Sequence, residues 1–205
     1  MVKFKKKSLS GSSKRWIQRH HNDNLVIKAK KLGFRSRAVF KLEEINKKIN
    51  FLNQNQNIID LGSSPGSWSQ YLSKRNFKNI LAVDIVQMKN LIEVDFLKGD
   101  FMDDKIQEQI IEKFSVIDII LSDIAVNTTG NKKLDSYKTN SVCLDVLNFA
   151  NKNLIKDGHV LSKFFNGELD RDIIKYSKNN FKISKIIKPE SSRKDSKEMY
   201  IYCKK

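Results

Sequence analysis

Polar residues interrupt apolar or amphipathic segments at four places in the sequence. Lys163 lies inside the apolar segment HVLSKFF, and burying a lysine is costly unless an opposite charge pairs with it. Asp123 ends the apolar segment IILSD, and Glu198 directly precedes the apolar segment MYIYC. Lys41 lies in SRAVFKLEEI, which has a partial helical apolar face. These two lysines and two acids are candidates for reaction chemistry, although an edge-strand lysine, an exposed helix lysine or a surface acid would give similar local patterns.

A glycine-containing turn follows the first strong apolar segment, in the sequence NIIDLGSSPGSW. Gly62 and Gly66 allow the backbone to turn tightly and to approach a ligand closely. A dinucleotide-binding turn has the glycine pattern GxGxxG, whereas this turn has GxxxG with Pro65 inside it. Pro65 and Trp68 crowd the position of a diphosphate, and the Lys-Ser/Thr pair of a P-loop is missing from this turn. The turn therefore favours a ligand without phosphate groups.

Two acids come at the ends of the next two predicted strands. Asp84 lies 24 residues after Asp60, where an acid binds ribose hydroxyls in nucleotide-binding sheets. Asp100, in KGDF, could accept a hydrogen bond from an adenine amino group. Each acid alone could equally be a helix cap or a loop residue. Because ligands bind at the carboxyl ends of such strands, the acids and the turn together predict a pocket for S-adenosylmethionine, a nucleoside with a sulfonium and no phosphate.

The elements that would position these residues follow from alternating apolar and helical segments. Strands are predicted over residues 57–62, 79–85, 92–97, 116–124, 159–165, 181–187 and 199–204. Helices are predicted near residues 36–49, 66–76, 103–114, 136–156 and 168–180. Apolar strands alternating with helices indicate an α/β fold with a parallel sheet covered on both faces. The last two strands are separated only by a turn-prone segment, which predicts a closing antiparallel hairpin.

Positive charge is concentrated near the two termini. Residues 1–48 carry 15 Lys/Arg against three acids, residues 182–205 carry eight against three, and the middle carries 16 against 17. We predict a basic N-terminal arm with a helix near 14–31, within residues 1–35, and a single domain over residues 36–205. Such basic blocks favour a nucleic-acid partner bound with strong salt dependence, although a lysine-rich genome would also produce them. The predicted contacts are the basic residues of 3–19 and Lys28, Lys30, Lys31, Arg35, Arg37, Arg193 and Lys194.

Other classes of protein are disfavoured by the composition. No segment approaches the roughly 18 apolar residues that a membrane span needs, and the basic N-terminus has no apolar signal region behind it. The composition does not exclude a transit peptide, because this terminus is basic, contains serine and has no acid. Cys143 and Cys203 form no CxxC motif or Cys/His cluster, which argues against zinc and a disulfide scaffold and favours a reducing compartment.

Five segments together resemble the FtsJ family of ribosomal RNA 2′-O-methyltransferases: SRAVFKL, DLGSSPGSWSQ, VDFLKGDF, SDIAVN and KPESSRKDSKEMYI. The resemblance runs in one order from about residue 13 to residue 204. It implies a class I S-adenosylmethionine-dependent methyltransferase fold, Rossmann-like, with a seven-stranded, mostly parallel sheet. It also implies a Lys-Asp-Lys-Glu catalytic tetrad formed by Lys41, Asp123, Lys163 and Glu198. The implied cofactor-binding positions are Gly66, Trp68, Asp84, Asp100 and Asp123.

The sequence departs from the family pattern around the turn and after Asp123. The family often has alanine or glycine where this chain has Ser63, Ser64 and Ser67, and proline where it has Val126. The serines are small enough to be accommodated. Val126 affects only the expected shape of the loop, because Asp123 itself is present.

The implied reaction is consistent with the tetrad. A ribose 2′-hydroxyl is a poor nucleophile, and general-base assistance typically contributes about 10²–10⁴-fold. Lys163 can act as the base only when neutral; burial and the nearby Lys41 cation would favour that form. Asp123 and Glu198 would orient the lysines and offset their charge. The two carboxylates also raise the lysine pKa and so oppose the loss of a proton from Lys163. In-line positioning of the reacting atoms would supply much of the remaining rate.

The resemblance implies methylation of a uridine ribose in the A loop of 23S-type ribosomal RNA. The implied partner is the large ribosomal subunit, with a monomeric, metal-free enzyme in the cytoplasm or an organellar matrix. A tRNA ribose methyltransferase of the same superfamily and a non-catalytic RNA-binding assembly factor remain alternatives. Methylation of a base amino group is disfavoured, because SDIAVN lacks the Pro-Pro-aromatic motif of amino-group methylases. Methylation of cytosine C5 needs a nucleophilic cysteine near the cofactor, whereas Cys143 lies in a helical apolar pattern.

Overall fold

The computed structural model describes residues 23–126, 129–193 and 195–205. The basic residues of 3–19, Lys194 and the first half of the helix predicted near 14–31 lie outside these ranges. The described part contains six α-helices: α1 (Asn24–Lys31), α2 (Val39–Ile49), α3 (Ser67–Ser73), α4 (Asp104–Lys113), α5 (Lys132–Asn153) and α6 (Asp170–Asn180). Its seven strands are β1 (Ile58–Leu61), β2 (Ile80–Asp84), β3 (Val94–Lys98), β4 (Ile117–Ser122), β5 (Leu154–Phe165), β6 (Ile183–Ile187) and β7 (Glu198–Lys204).

The strands form one sheet in the order β3-β2-β1-β4-β5-β7-β6. Strands β1 to β5 pair in parallel with their neighbours, whereas β7 is antiparallel to both β5 and β6. The predicted α/β fold, its mostly parallel seven-stranded sheet and the closing antiparallel hairpin are therefore confirmed. The hairpin is inserted so that β7, not β6, lies beside β5.

The sheet is buried on both faces, which explains why its central strands are apolar throughout. Successive side chains of a strand point to opposite faces, so Ile59 and Leu61 of β1 pack in one apolar cluster and Ile58 packs in the other. The first cluster contains the buried faces of α4, α5 and α6. The second contains Ala29 of α1 and the buried faces of α2 and α3.

The junction of α5 and β5 differs from the prediction. The predicted helix ends at residue 156 and the predicted strand begins at 159, whereas α5 ends at Asn153 and β5 begins at Leu154. Leu154 is buried and pairs with Ile117 of β4. Its apolar side chain continues the helical pattern equally well, so the sequence does not distinguish the two conformations. At the other end, the side chain of Asn131 caps α5 and starts it four residues before the predicted position.

No helix in the described ranges is both long enough and apolar enough to cross a membrane.

Candidate active site

The carboxylate of Asp123 lies between two lysine side chains. Nζ of Lys163 lies 3.1 Å from Oδ1 of Asp123 and donates to the backbone oxygen of the same residue at 2.7 Å. Nζ of Lys41 lies 3.6 Å from Oδ2 of Asp123 and 2.8 Å from Oε2 of Glu198. The structure thus brings all four predicted residues into one continuous network of opposite charges.

Four separate elements supply these side chains. Lys163 of β5 pairs with Tyr200 of β7, and its side chain lies on the same face as that of Leu161, two residues earlier. Only 6% of Lys163 is exposed, so it is an interior lysine rather than an edge-strand lysine. Asp123 follows directly on β4, at the carboxyl edge of the sheet. Helix α2 packs on the Leu161 face through its apolar side chains and so delivers Lys41.

Two hydroxyl groups that the sequence analysis did not identify hold the acids of this network. Oη of Tyr200, a fully buried residue, donates to Oδ1 of Asp123 at 2.6 Å. Oγ of Ser192 donates to Oε1 of Glu198 at 2.8 Å. The period-2 alternation of β7 places Tyr200 on the same face as Glu198, and this signal could have identified the tyrosine. Ser192 lies in the turn between β6 and β7, where sequence spacing indicates no partner.

The ionisation of the network follows from its contacts. Burial lowers the pKa of Lys41, but the carboxylates of Asp123 and Glu198 raise it more, so its pKa lies above the ordinary value. Burial raises the pKa of Asp123, but Lys163 and Lys41 lower it further, so this carboxyl is held ionised. Burial and the two neighbouring acids raise the pKa of Tyr200 well above its usual range. Lys41 is therefore a fixed cation, and Tyr200 is a neutral donor.

The glycine turn between β1 and α3 lies next to this network in the sheet. Both turn glycines have positive φ, +69° at Gly62 and +100° at Gly66. A Cβ on Gly62 would lie 2.1 Å from the side chain of Ile124, which follows Asp123 directly. Only glycine fits at position 62, because the turn and the loop after β4 are in contact there. The glycine turn and the loop that carries Asp123 are thus in close contact.

The predicted cofactor acids have defined backbone partners. Asp84 accepts from the backbone N–H of Ser64 at 2.8 Å and of Val86 at 2.7 Å, through different carboxylate oxygens. Asp100 accepts from the N–H of Met102 at 3.0 Å. Each carboxylate oxygen can accept more than one hydrogen bond, so both acids keep the capacity to bind ligand hydroxyl or amino groups.

Asp60, Asp84 and Asp123 lie near one another at the carboxyl edge of the sheet. Burial raises the pKa of Asp60 to about 7, with smaller contributions from the charges of Asp123 and Asp84 and against hydrogen bonds from Ser69 that lower it. Asp84 and Asp100 present acceptor oxygens at this edge, which disfavours a diphosphate there. A ligand with hydroxyl and amino donors would pair with these acceptors, so the residues present fit a sulfonium nucleoside.

Trp68 does not line the turn as a free aromatic surface. It is 2% exposed, its Nε1 donates to the backbone oxygen of Ala38 at 2.9 Å, and its ring centroid lies 6.0 Å from that of Tyr200. The indole therefore joins α3 to the start of α2 and supports the tyrosine that holds Asp123.

Lys41 and Glu198 also line a cavity of about 260 Å³. Two arginines line it, Arg37 and Arg193. Asp23, which caps α1 through the N–H of Leu25, forms an ion pair with Arg37 and lies 3.6 Å from Nη2 of Arg193. Arg37 also donates to the backbone oxygen of Ser191. The start of α1 and the turn between β6 and β7 thus meet at a basic cavity beside the tetrad.

The fold and this site together define a class I methyltransferase. The sequence profile of the family described as FtsJ-like methyltransferase matches residues 34–205. The chain is therefore a member of the FtsJ-like methyltransferase family, as the resemblance in its motifs predicted.

Relatives of known name match nearly the whole chain. A protein of Pelagibacter ubique named ribosomal RNA large subunit methyltransferase E is 40% identical over 195 residues, which cover 94% of this chain and 96% of the relative. A protein of the same name from Rickettsia akari is 39% identical over 198 residues, covering 93% and 87% respectively. A solved structure of a ribosomal RNA methyltransferase from Plasmodium falciparum superposes with a TM-score of 0.75 at 32% identity, covering 83% of this chain and 97% of that one.

Proposed function

We propose that this protein transfers a methyl group from S-adenosylmethionine to a ribose 2′-hydroxyl of large-subunit ribosomal RNA, at a uridine of the A loop. The observation that carries the proposal is the buried chain of contacts from Lys163 through Asp123 and Lys41 to Glu198. Membership of the family and the names of relatives about 40% identical support the ribosomal substrate.

The glycine turn and the strand-end acids would hold the cofactor. Asp84 would accept hydrogen bonds from the ribose hydroxyls, and Asp100 would accept one from the adenine amino group. Gly66 would allow close backbone approach, Trp68 would support this side of the pocket, and Asp123 would border the methyl-donating end. When bound, the cofactor supplies a methyl group on a positively charged sulfur that leaves as a neutral thioether.

Lys163 would act as the general base. A neutral lysine has two N–H donors and one lone pair, and two acceptors, the backbone oxygen and Oδ1 of Asp123, lie at 2.7 and 3.1 Å from its Nζ. Both donors would then be satisfied, which leaves the lone pair directed away from Asp123 and able to take the proton of the 2′-hydroxyl. Lys41, held as a cation, and Glu198 would orient the acceptor ribose on the other side of Asp123.

The basic cavity and α1 would bind the RNA backbone. Arg37 and Arg193 line the cavity beside the tetrad, and the lysines Lys28, Lys30 and Lys31 lie on α1. Phosphate contacts of this kind position the substrate and make affinity fall steeply with salt. In this proposal residues 1–35 are an RNA-binding arm and helix, and residues 36–205 are the methyltransferase domain of a monomer that acts in the cytoplasm or an organellar matrix.

The experiment that tests the proposal offers labelled S-adenosylmethionine with purified large subunits, free ribosomal RNA and tRNA. We expect label in the large-subunit RNA, mapped to the 2′-oxygen of an A-loop uridine. Label confined to tRNA would identify the related tRNA methyltransferase activity instead. Absence of transfer to any of the three, with RNA binding intact, would favour a non-catalytic assembly factor.

Methylation of a base carbon is disfavoured by Cys143. That enzyme class needs a nucleophilic cysteine, but Cys143 is 1% exposed inside α5. Burial raises the pKa of its thiol to about 12, so the reactive thiolate is not formed near neutral pH.

A further inference from the structure

The segment between α1 and α2 is hydrogen-bonded to α3, the helix that follows the glycine turn, and to Lys74 just after it. Five hydrogen bonds, involving both backbone and side-chain atoms, follow one another along the segment from Leu32 to Ala38. The pairs are Leu32 O with Lys74 Nζ at 3.2 Å, Gly33 O with Gln70 Nε2 at 2.9 Å, Arg35 N with Gln70 Oε1 at 2.9 Å, Ser36 Oγ with Ser67 Oγ at 2.7 Å, and Ala38 O with Trp68 Nε1 at 2.9 Å. The chain that leads into the Lys41 helix is thus fixed to the cofactor side of the fold.

The guanidinium of Arg35 closes this contact over the turn itself. Its Nη1 donates to the backbone oxygen of Pro65 at 2.7 Å. Its Nη2 donates to the backbone oxygens of Lys89 at 2.7 Å and Asn90 at 3.0 Å. Arg35 therefore joins the glycine turn after β1 to the loop after β2. Three backbone carbonyls engage the planar fork that would otherwise be presented to a phosphate.

Gly66 is shaped to receive this guanidinium. Its φ is +100°, and a Cβ at this position would lie 2.5 Å from Nη1 of Arg35 and 2.9 Å from Sδ of Met88. A glycine in this turn is commonly explained by close approach of the ligand. Here a second reason exists, because any side chain at position 66 would push Arg35 off the turn.

The same two loops hold Asp84. One of its carboxylate oxygens accepts from Ser64 in the turn, and the other accepts from Val86 in the loop after β2. Arg35 and Asp84 thus join the two loops at two places, one through a cation on backbone carbonyls and one through an anion on backbone N–H groups. Loss of Arg35 would allow the loops to separate and would move Asp84 from its position.

We infer that Arg35 is a positioning residue of the cofactor site. Its place in the basic N-terminal region suggests a contact with RNA instead, and the contacts of its guanidinium argue against that role. This inference rests on the proposed binding of S-adenosylmethionine at the turn. It departs from the expectation for Arg35 drawn from charge alone.

Arg35→Lys is the informative variant, because it keeps the positive charge but loses the planar fork. We expect the dissociation constant for S-adenosylhomocysteine, measured by titration calorimetry, to rise about tenfold or more, since hydrogen bonds from a charged donor are lost. Affinity for a transcript of large-subunit ribosomal RNA, and its dependence on salt, should stay within about twofold of the wild type, since phosphate contacts are sensed mainly through charge.

Lys31→Ala is the matched control, since Lys31 is an exposed cation at the end of α1. We expect it to bind S-adenosylhomocysteine normally and to reduce the slope of log affinity against log salt by about one. Arg35→Ala should combine weak S-adenosylhomocysteine binding with an unchanged slope. A reduced slope in Arg35→Ala, or wild-type binding of S-adenosylhomocysteine by Arg35→Lys, would overturn the inference.

Kinetics separate positioning from general loss of structure. With Arg35→Lys, KM for S-adenosylmethionine should rise while kcat at saturation, KM for RNA and the Tm of the ligand-free protein stay close to wild type. A fall in Tm with both KM values raised would show a merely structural role and contradict the inference. Failure of the wild type to bind S-adenosylhomocysteine would instead refute the proposed cofactor site, so the two failures are distinguishable.

Discussion

The hydroxyl of Tyr200 and Nζ of Lys163 both contact the same carboxylate oxygen, Oδ1 of Asp123, at 2.6 and 3.1 Å. Two donors on one oxygen fix the orientation of the carboxylate, and its other oxygen then faces Lys41. Tyr200 itself is held by Trp68, whose ring lies beside it. The tyrosine is thus a part of the site that orients the acid between the two lysines.

Tyr200→Phe should lower kcat about 10- to 100-fold, because it removes a hydrogen bond to a charged group and leaves the ring packing in place. Binding of S-adenosylhomocysteine should be unchanged, and steady-state kinetics with calorimetry would measure both. The control is Tyr202→Phe on the same strand, where the lost hydroxyl contacts His159 instead. Wild-type turnover by Tyr200→Phe would show that Asp123 needs no such support.

Lys163→Ala should abolish methyl transfer while cofactor binding persists, because the general base is lost. Lys163→Arg distinguishes a base from a fixed positive charge, since an arginine stays protonated. We expect the rate constant of methyl transfer, measured in a single-turnover assay, to fall about 10²–10⁴-fold or more in both variants. Lys156→Ala, an exposed lysine of the same strand, should keep full activity. Substantial turnover by Lys163→Arg would show that Lys163 acts only through its charge.

The turn between β6 and β7 is held by Glu44 of α2, and this contact should give stability a measurable pH dependence. Its carboxylate accepts from the N–H groups of Glu190 and Ser191 at 2.8 and 3.0 Å. Burial raises the pKa of Glu44, but the ion pair with Lys48 and these hydrogen bonds lower it from 4.5 to about 2. A lowered pKa stabilises the fold above the unfolded-state value, and that contribution is lost as the pH falls through the folded-state value.

Glu44→Gln should therefore lower the free energy of unfolding at pH 7 by about 1–3 kcal/mol. The difference from wild type should shrink as the pH falls from about 4.5 to about 2, as measured by urea unfolding at several pH values. Glu112→Gln, which removes an exposed carboxylate of α4, controls for the loss of one negative charge. A difference that stays constant down to pH 2 would contradict the assignment.

The sequence predicts the sheet and the burial of Lys163 well, because both leave local signals. Strands buried on both faces are apolar throughout, and a lysine such as Lys163 is conspicuous within one. Leu154 gives no such signal, because it fits the buried side of either a helix or a strand. The partners of Arg35 could not be predicted either, since its acceptors are backbone carbonyls 30 to 55 positions away. Charge patterning identifies a basic region but not the direction in which each side chain points.

Gly66→Ala tests whether the turn and Arg35 are fitted to each other. A side chain at position 66 suffers a positive φ and a contact of 2.5 Å with Nη1 of Arg35. Gly130→Ala is the matched control: its φ is +89°, but nothing lies within 4 Å of the added Cβ. Both variants should lose about 1 kcal/mol of stability from backbone strain, as measured by urea unfolding, but only Gly66→Ala should weaken S-adenosylhomocysteine binding.

The double variant Gly66→Ala with Arg35→Ala identifies the cause of that weakening. If the added methyl group acts by displacing the guanidinium, the two substitutions remove the same contact, and their effects on S-adenosylhomocysteine affinity should be strongly non-additive. The double variant should then bind about as weakly as Arg35→Ala alone. If the methyl group instead blocks the ligand directly, the two losses are independent and their free energies should add. Additive losses in calorimetry would therefore separate Gly66 from Arg35.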